Sequence, residues 1–232
     1  MELKERSAVK KVRVSNELLY VAAVFVLSFA TAMLAAADFG MSMVVAPAYI
    51  VSLKVPFLTF GQAEYVVQGM LFVVFCIIMR KVKLLYLFSF ASGLIYGIVL
   101  DFWRMIIPHF DPERFAPGTL PMNVRIIYFV VGFFLNSLGV ALYFHTYFYP
   151  QVYEFFVKGI SRKFEIPLSK FKIGFDMACL AVAIVLSFAM FHKIVGIGIG
   201  TVILTCCNGL MIGRYGKWMD TYLDTYTRWE KI

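Results

Sequence analysis

The chain has 232 residues, of which 61% are hydrophobic and only 16% are charged, and its mean hydropathy is +0.80. Soluble domains contain roughly 45–50% apolar and about 25% charged residues, so this composition excludes a water-soluble fold. The 22 Lys and Arg outnumber the 14 Asp and Glu, but the charges flank apolar blocks and form no single basic face, which excludes nucleic-acid binding. The composition therefore indicates a polytopic membrane protein.

Runs without a charged residue mark the predicted membrane spans, because a helix needs about 20 apolar residues to cross the hydrocarbon core. The sequence predicts six spans, at residues 18–37, 65–79, 84–100, 126–149, 173–191 and 194–213. The first span has a signal peptide as its alternative, but it exceeds the ~7–15 residues of a signal core, so we expect a retained helix. Residues 41–53 are apolar but too few to cross, and Pro47 interrupts them, which predicts a re-entrant or broken segment.

The distribution of basic residues predicts the orientation of the chain. If six spans cross and both termini are cytoplasmic, most Lys and Arg fall inside, and the exceptions are Lys54, Arg104, Arg114, Arg125 and Lys193. We therefore expect a multi-pass protein of the cell membrane with both termini in the cytoplasm. Its predicted parts are a basic amino-terminal segment (1–17), a first three-helix repeat (18–107), an external loop (108–124), a second repeat (125–215) and a carboxyl-terminal tail (216–232).

The two halves of the chain share one order of elements: a long helix, a short segment, a crossing, a basic turn and a Gly-containing crossing. In this alignment Gln68 corresponds to Asp176, and Gly97 corresponds to Gly209. Because three crossings is an odd number, the second copy enters the membrane upside down relative to the first. The predicted fold is an all-α bundle of six transmembrane helices in 3+3 inverted repeats, with one short re-entrant or broken segment per half.

The short segment of the second half, residues 151–165, differs from that of the first. Charged residues alternate there with apolar ones, a pattern that predicts an amphipathic helix at the inner surface of the membrane. In transporters built from inverted repeats, the substrate site lies near the midplane where the repeats meet.

Short motifs follow one another in a fixed order through both halves. They read Asp38-Phe39-Gly40-Met41-Ser42, Phe60-Gly61 and Gly97-Ile98-Val99-Leu100-Asp101, then Lys170-Phe171-Lys172-Ile173-Gly174-Phe175-Asp176, Gly198-Ile199-Gly200-Thr201 and Asn208-Gly209. Over about residues 38–214 the chain resembles the YczE/YyaS/YitT family of bacterial membrane proteins. The resemblance implies a six-helix inner-membrane protein of a family often described as transporters. The Gly-rich stretch usual before the amphipathic segment is replaced here by Tyr149-Pro150-Gln151-Val152.

Asp176 is the foremost candidate for a functional residue, because burying an ionised acid in a span costs about 2.5 kcal/mol or more. Its alternative role is an interfacial ion pair with Lys170 or Lys172. Gln68, the repeat counterpart of Asp176, either faces it across the pseudo-axis or makes an interhelical hydrogen bond. Gln62 and Glu64 extend the second predicted span at its start, where they line a wet vestibule or lie at a solvated helix end.

The remaining candidates for solute or ion binding have structural alternatives as well. Asp38 is either a cation ligand or a cap of the broken segment. Asp101 pairs with Arg104 three residues further on, or forms part of a gate. His145 either titrates near neutral pH or belongs to the interfacial aromatic belt. Two uncharged polar residues inside predicted spans complete the set, Asn136 and Asn208.

These features predict a secondary transporter or permease for a small, neutral or weakly charged solute, bound where the two repeats meet. Proton coupling through Asp176 is part of this hypothesis. The alternative is a non-transporting membrane module, such as a substrate-binding subunit, sensor or chaperone, that works with a partner. An enzyme is not expected, since neither a Gly-x-Ser-x-Gly elbow nor a His-Glu-x-x-His motif is present.

No cofactor and no metal site are expected, because the four cysteines lie in predicted spans without CxxC spacing or a neighbouring His. The expected partners are membrane lipid and the solute. Three Gly-x-x-x-Gly motifs, beginning at Gly93, Gly196 and Gly209, predict close helix packing, either within one subunit or in a homodimer.

Overall fold

The computed structural model of the chain describes residues 11–82, 84–112, 114–146 and 151–226, with the side chains of residues 84 and 85 excepted. These residues form β1 (Val12–Ser15), α1 (Asn16–Ala37), α2 (Ala46–Lys54), α3 (Phe60–Met79), α4 (Leu84–Ile106), α5 (Met122–His145), α6 (Val152–Lys163), α7 (Leu168–Phe191), α8 (Ile199–Tyr222) and β2 (Leu223–Tyr226). Five of the helices are long and apolar enough to cross a membrane, namely α1, α3, α4 over Tyr86–Ile106, α5 and α7. The chain is an all-α protein, consistent with a multi-pass membrane protein.

The second predicted span begins earlier than the charge pattern indicated. Thr59 and Gln62 form a reciprocal capping box, in which each side chain accepts a hydrogen bond from the backbone of the other at 3.1 Å. The cap starts α3 at Phe60, so that Glu64 lies inside the helix. The prediction for residues 65–79 therefore had the right helix and the wrong first turn.

The last helix, α8, is shifted toward the carboxyl terminus relative to its predicted span. Gly196 has φ +70° and Gly198 precedes the first helical residue, so residues 194–198 form a loop in place of a helix. The helix then continues to Tyr222, well into the predicted tail. Its second half carries Arg214, Lys217 and Asp220, and α8 is not among the five apolar helices.

A two-stranded parallel sheet, which was not predicted, joins the two ends of the described chain. Val12 pairs with Leu223 and Ser15 with Tyr226. Arg13 reinforces the pair, because its guanidinium lies 3.5 Å from an Asp224 oxygen. Residues 1–10 and 227–232 of the two predicted cytoplasmic segments, and residues 147–150 at the end of the fourth predicted span, lie outside the described residues.

Helices α1 and α5 are antiparallel and form the centre of the bundle. They approach closely at Gly139, where an added Cβ would lie 2.9 Å from Leu27. We call the end of the bundle where α1 finishes the Asp38 end, and the opposite end, where α5 finishes, the His145 end. Helix α4 packs against α1, and α8 packs against α5.

The short helices α2 and α6 both pack between α3 and α7. Lys54, the last residue of α2, lies over the ring of Phe191 at the end of α7, so α2 finishes at the Asp38 end. Helix α6 begins beside Glu64 and ends where Lys163 donates to the Ile78 carbonyl, at the His145 end. Its apolar face is buried against Phe75, whereas Lys158, Arg162 and Lys163 are exposed, so α6 is amphipathic, as predicted.

Candidate functional site

A cavity of about 510 Å³ lies between the two halves of the bundle. The first half contributes residues of α1, α4 and the segment 42–45 before α2, and the second half contributes α5, the start of α6, α7 and α8. Its wall is mostly apolar, with a few polar groups, and its volume is within the roughly 300–1,000 Å³ of small-molecule sites. The wall includes three of the predicted site residues, Asn136, Asp176 and Asn208.

Hydroxyl and amide groups make up the uncharged polar part of the wall. The Tyr96 hydroxyl donates to Thr31 Oγ1 at 2.7 Å, which connects α4 to α1. Ser137 donates to Asn208 Oδ1 at 2.6 Å, which connects α5 to α8. Since Asn208 uses its oxygen in this bond, its amide nitrogen is available to a solute.

The charged part of the wall consists of Glu154, Lys172 and Asp176. The Lys172 Nζ donates to Asp176 Oδ1 at 2.9 Å and lies 3.9 Å from Glu154 Oε1. The side chains of Lys172 and Asp176 are 37% and 24% exposed, so the pair remains in contact with solvent. The structure thus shows the ion pair with Lys172 that was the alternative role of Asp176.

Behind the same wall, Glu64, Gln68 and Tyr153 form a cluster that sequence reasoning missed. Both Glu64 and Gln68 are fully buried. Glu64 Oε2 accepts from the Tyr153 hydroxyl at 3.0 Å and from Gln68 Nε2 at 3.3 Å. Tyr153 in turn lines the cavity. The vestibule and the solvated helix end expected for Glu64 are both wrong, and the Thr59 capping box was the signal that could have placed it inside α3.

The Tyr153 hydroxyl donates to Glu64 and connects this cluster to the cavity wall. Tyr153, which contacts Glu64, and Glu154, which lies 3.9 Å from Lys172, are consecutive residues at the start of α6. Gln68 and Asp176 have separate partners, since Gln68 donates to Glu64 of its own helix and Asp176 accepts from Lys172, and the described residues show neither of the two contacts that the sequence left open for Gln68.

Asp38 and Arg125 connect the end of α1 to the start of α5 at the Asp38 end, away from the cavity wall. Asp38 ends α1 in the left-handed conformation, with φ 52°. Arg125 donates to the carbonyls of Ala37 and Asp38 at 2.8 and 2.9 Å, and its Nη2 lies 3.5 Å from Asp38 Oδ2. Burial raises the pKa of Asp38, and Arg125 opposes that rise. An arginine therefore stands where the prediction allowed a bound cation.

Asp101 caps α3, and the structure does not show the predicted pair with Arg104. Asp101 Oδ1 accepts from the Gly61 N–H at 2.8 Å, and Oδ2 accepts from Thr59 Oγ1. The free N–H groups and positive dipole at the start of a helix attract a carboxylate. Arg104 instead lies 5.3 Å above the ring of Phe60 and donates to the Phe110 carbonyl.

His145 lies in the last turn of α5 and connects that helix to α8. Its Nε2 is 3.1 Å from Asp220 Oδ1, and its Nδ1 is 2.9 Å from the Ala141 carbonyl oxygen. These contacts place His145 at the end of the bundle and not in the cavity. Of the seven predicted site residues, Asp38, Asp101 and His145 therefore hold helix ends together, and Gln68 lies behind the wall.

Comparison with known proteins gives a family but no activity. A family model described as a family of unknown function, DUF6198, matches residues 14–217. No curated protein and no solved structure matches the chain.

Proposed function

The chain belongs to DUF6198, a family of unknown function, and we propose that it carries a small, neutral or weakly charged solute across a membrane. The observation that carries this proposal is the cavity, because its wall takes polar side chains from both halves of the bundle. A carrier needs its site where two structural units meet, so that their relative movement exposes the site to each side in turn. The resemblance to the YczE/YyaS/YitT family supports a bacterial inner membrane as its location.

The pattern of helix contacts supports the proposed inverted repeat. Exchanging α1–α4 with α5–α8 maps the packing of α4 on α1 onto that of α8 on α5. The same exchange maps α2, packed between α3 and α7, onto α6, which is packed between α7 and α3. The antiparallel pair of α1 and α5 maps onto itself, as expected for helices beside an in-plane two-fold axis.

The paired terminal strands support an even number of crossings. Because β1 and β2 are hydrogen-bonded, the start of α1 and the end of α8 lie at the same end of the bundle. An even number requires α8 to cross as the sixth span, in addition to the five apolar helices. The excess of Lys and Arg at this end then makes it the cytoplasmic one.

The amino ends of α2 and α6 indicate how a solute would be held. Residues 42–45 and Gln151 precede these helices and line the cavity. Neither helix has a side-chain cap. The first-turn N–H groups of α6 therefore remain available as donors, whereas in α2 the Ala46 N–H already donates to the Ser42 carbonyl and Pro47 has no N–H. Half-helices that point their amino ends at a central site are a recurrent feature of transporters. An amphipathic solute with an acceptor oxygen fits these donors and the aromatic wall.

Uptake by liposomes that contain the purified chain tests the proposal. The vesicles are offered a defined mixture of small neutral and zwitterionic organic solutes, and their contents are identified by mass spectrometry. We expect at least one solute to accumulate beyond protein-free vesicles, and Asn136→Leu to reduce that uptake. Asn123→Leu is the matched control, because Asn123 is exposed in the first turn of the same helix. Binding of a solute without uptake would contradict the carrier and favour the non-transporting module.

A further inference from the structure

Within the part of the chain that the structure describes, Glu64 is a fully buried carboxyl group without a cationic partner. We propose that Glu64 is a proton-binding residue and that its proton exchanges with the cavity through the Tyr153 hydroxyl. The coupling of this proton to solute movement rests on the proposed function, whereas the proton site itself does not.

The contrast with Asp176 carries the first step. Within the described residues no Lys, Arg or His nitrogen lies within 4.0 Å of a Glu64 oxygen, whereas the Asp176 carboxylate has Lys172 at 2.9 Å. An isolated charge in an apolar interior is far more costly than a hydrogen-bonded neutral group. Proton binding is thus the means by which Glu64 can avoid an uncompensated charge, and Asp176 already has a counterion.

The hydrogen bonds of the carboxyl group carry the second step. An ionised carboxylate accepts bonds at about four lone-pair positions. Glu64 Oε2 has two donors, from Tyr153 and Gln68, but Oε1 is buried without a partner in the described part of the chain. The site therefore solvates one oxygen of the charged form and leaves the other unsatisfied.

The groups that face Glu64 are uncharged. Among the described residues, they are the phenols of Tyr153 on α6 and Tyr96 on α4, and Cys179 of α7 lies next to Tyr153. Both phenols line the cavity. No charged group of the described residues thus forms an ion pair with Glu64, and a proton has a hydrogen-bonded route to the cavity.

The proton transfer along this route is balanced at each atom. A proton from solvent in the cavity binds the Tyr153 phenol oxygen as the phenol's own proton passes along the 3.0 Å bond to Glu64 Oε2. Two bonds to hydrogen break, one in the proton donor of the cavity and one in the phenol, and two O–H bonds form, one on the phenol and one on Glu64 Oε2, so that Glu64 becomes neutral. Release to the cavity follows the same steps in reverse. In a carrier, the protonated and the ionised form of Glu64 would each favour a different conformation of the protein, so that a proton moves with each solute.

Infrared difference spectra between acidic and alkaline pH test the proton site, with the full chain in lipid vesicles. We expect a C=O band of a protonated carboxyl group that disappears at alkaline pH and is absent from Glu64→Gln. Asp176→Asn and Glu154→Gln are the matched controls and should keep the band. In Tyr153→Phe the band should persist to higher pH, because the Glu64 carboxylate loses the hydrogen bond that the Tyr153 hydroxyl donates. A band that is unchanged in Glu64→Gln would overturn the proposal.

Glu64→Asp keeps the test decisive if Glu64→Gln does not fold. This variant retains the carboxyl group in a different environment, so the band should shift in frequency. An unshifted band would assign it to another residue and overturn the proposal.

A pH-sensitive dye inside the vesicles separates this inference from the carrier function. With the defined solute mixture outside, we expect internal pH to change during uptake by the wild type and to stay constant in Glu64→Gln. If Glu64 titrates but no solute enters, the carrier fails and the proton site stands. If uptake proceeds without a pH change in either protein, the coupling is overturned.

Discussion

In the proposed repeat, the pair Glu64–Gln68 of the first half corresponds to the pair Lys172–Asp176 of the second, since each residue lies 108 positions from its counterpart. In both pairs the two residues are four positions apart on one helix, and one side chain donates a hydrogen bond to the carboxyl group of the other. Gln68 donates to Glu64 in the first pair, and Lys172 donates to Asp176 in the second. The first pair is fully buried and lacks a cation, whereas the second is partly exposed and is an ion pair.

The difference comes from the neighbouring helix. Gly93 of α4 packs directly against Gln68, and an added Cβ there would lie 2.2 Å from Gln68 Oε1. Helix α3 packs along α4, whereas α7 and α8 have no comparable contact in the described structure. One half is therefore closed over its polar pair and the other is open to the cavity. In a carrier that alternates between two conformations, each half would in turn close over its polar pair and open it to the cavity.

The largest effect should come from Gly61, at the closest approach of α3 and α4. A Cβ at Gly61 would lie 2.0 Å from the Gly97 carbonyl oxygen, so Gly61→Ala must push the two backbones apart. We expect it to lower the free energy of unfolding by about 1–3 kcal/mol or more, the cost of overpacking a core. The measurement is an SDS titration in mixed micelles followed by circular dichroism.

The repeat counterpart of Gly61 supplies its control. Ser169 is exposed at the start of α7 and already carries a side chain, so Ser169→Ala should change stability by less than about 0.5 kcal/mol. Equal losses in the two variants would mean that the loss in Gly61→Ala does not come from the close contact between α3 and α4.

The next largest effect should be a difference in stability between variants of the two polar pairs. Gln68→Leu removes a donor from a carboxyl group that solvent cannot reach, which should cost about 1–3 kcal/mol. Lys172→Met removes the partner of a carboxylate that is 24% exposed, and water can replace much of that contact, so the cost should stay below about 1 kcal/mol. The same SDS titration measures both. A larger loss in Lys172→Met would mean that the second pair is the buried one.

Most of the helices could be predicted from the sequence because lipid excludes charge, and charge-free runs are visible without a structure. Residues 18–37 were expected to form a helix, and α1 spans Asn16–Ala37. Helix starts were less predictable, because they depend on single caps such as that of Thr59 on α3. The glycines at 196 and 198 likewise displaced the start of α8.

The candidate site could be predicted only where a polar residue interrupts an apolar span. Asn136, Asp176 and Asn208 were found on this signal and lie at the cavity. Tyr153 could not be found, because its segment alternates charged and apolar residues like a surface helix, and its burial depends on packing between α3 and α7. Glu64 was assigned to a helix end for lack of the capping signal.

The smallest effect is expected for the hydrogen bonds that hold the last helix of each half, α4 on α1 and α8 on α5. It tests whether these two contacts are equivalent. Tyr96→Phe removes the bond from α4 to Thr31 on α1, and Ser137→Ala removes the bond from α5 to Asn208 on α8. Interhelical hydrogen bonds in membranes contribute about 0.6 kcal/mol on average, so both variants should lose about that much in the SDS titration. Tyr222→Phe, at an exposed phenol, should lose nothing. A loss in Tyr96→Phe without one in Ser137→Ala would mean that α8 does not dock on α5 as α4 docks on α1. Helix α8 would then not form a wall of the cavity, and a carrier with two equivalent halves would be contradicted.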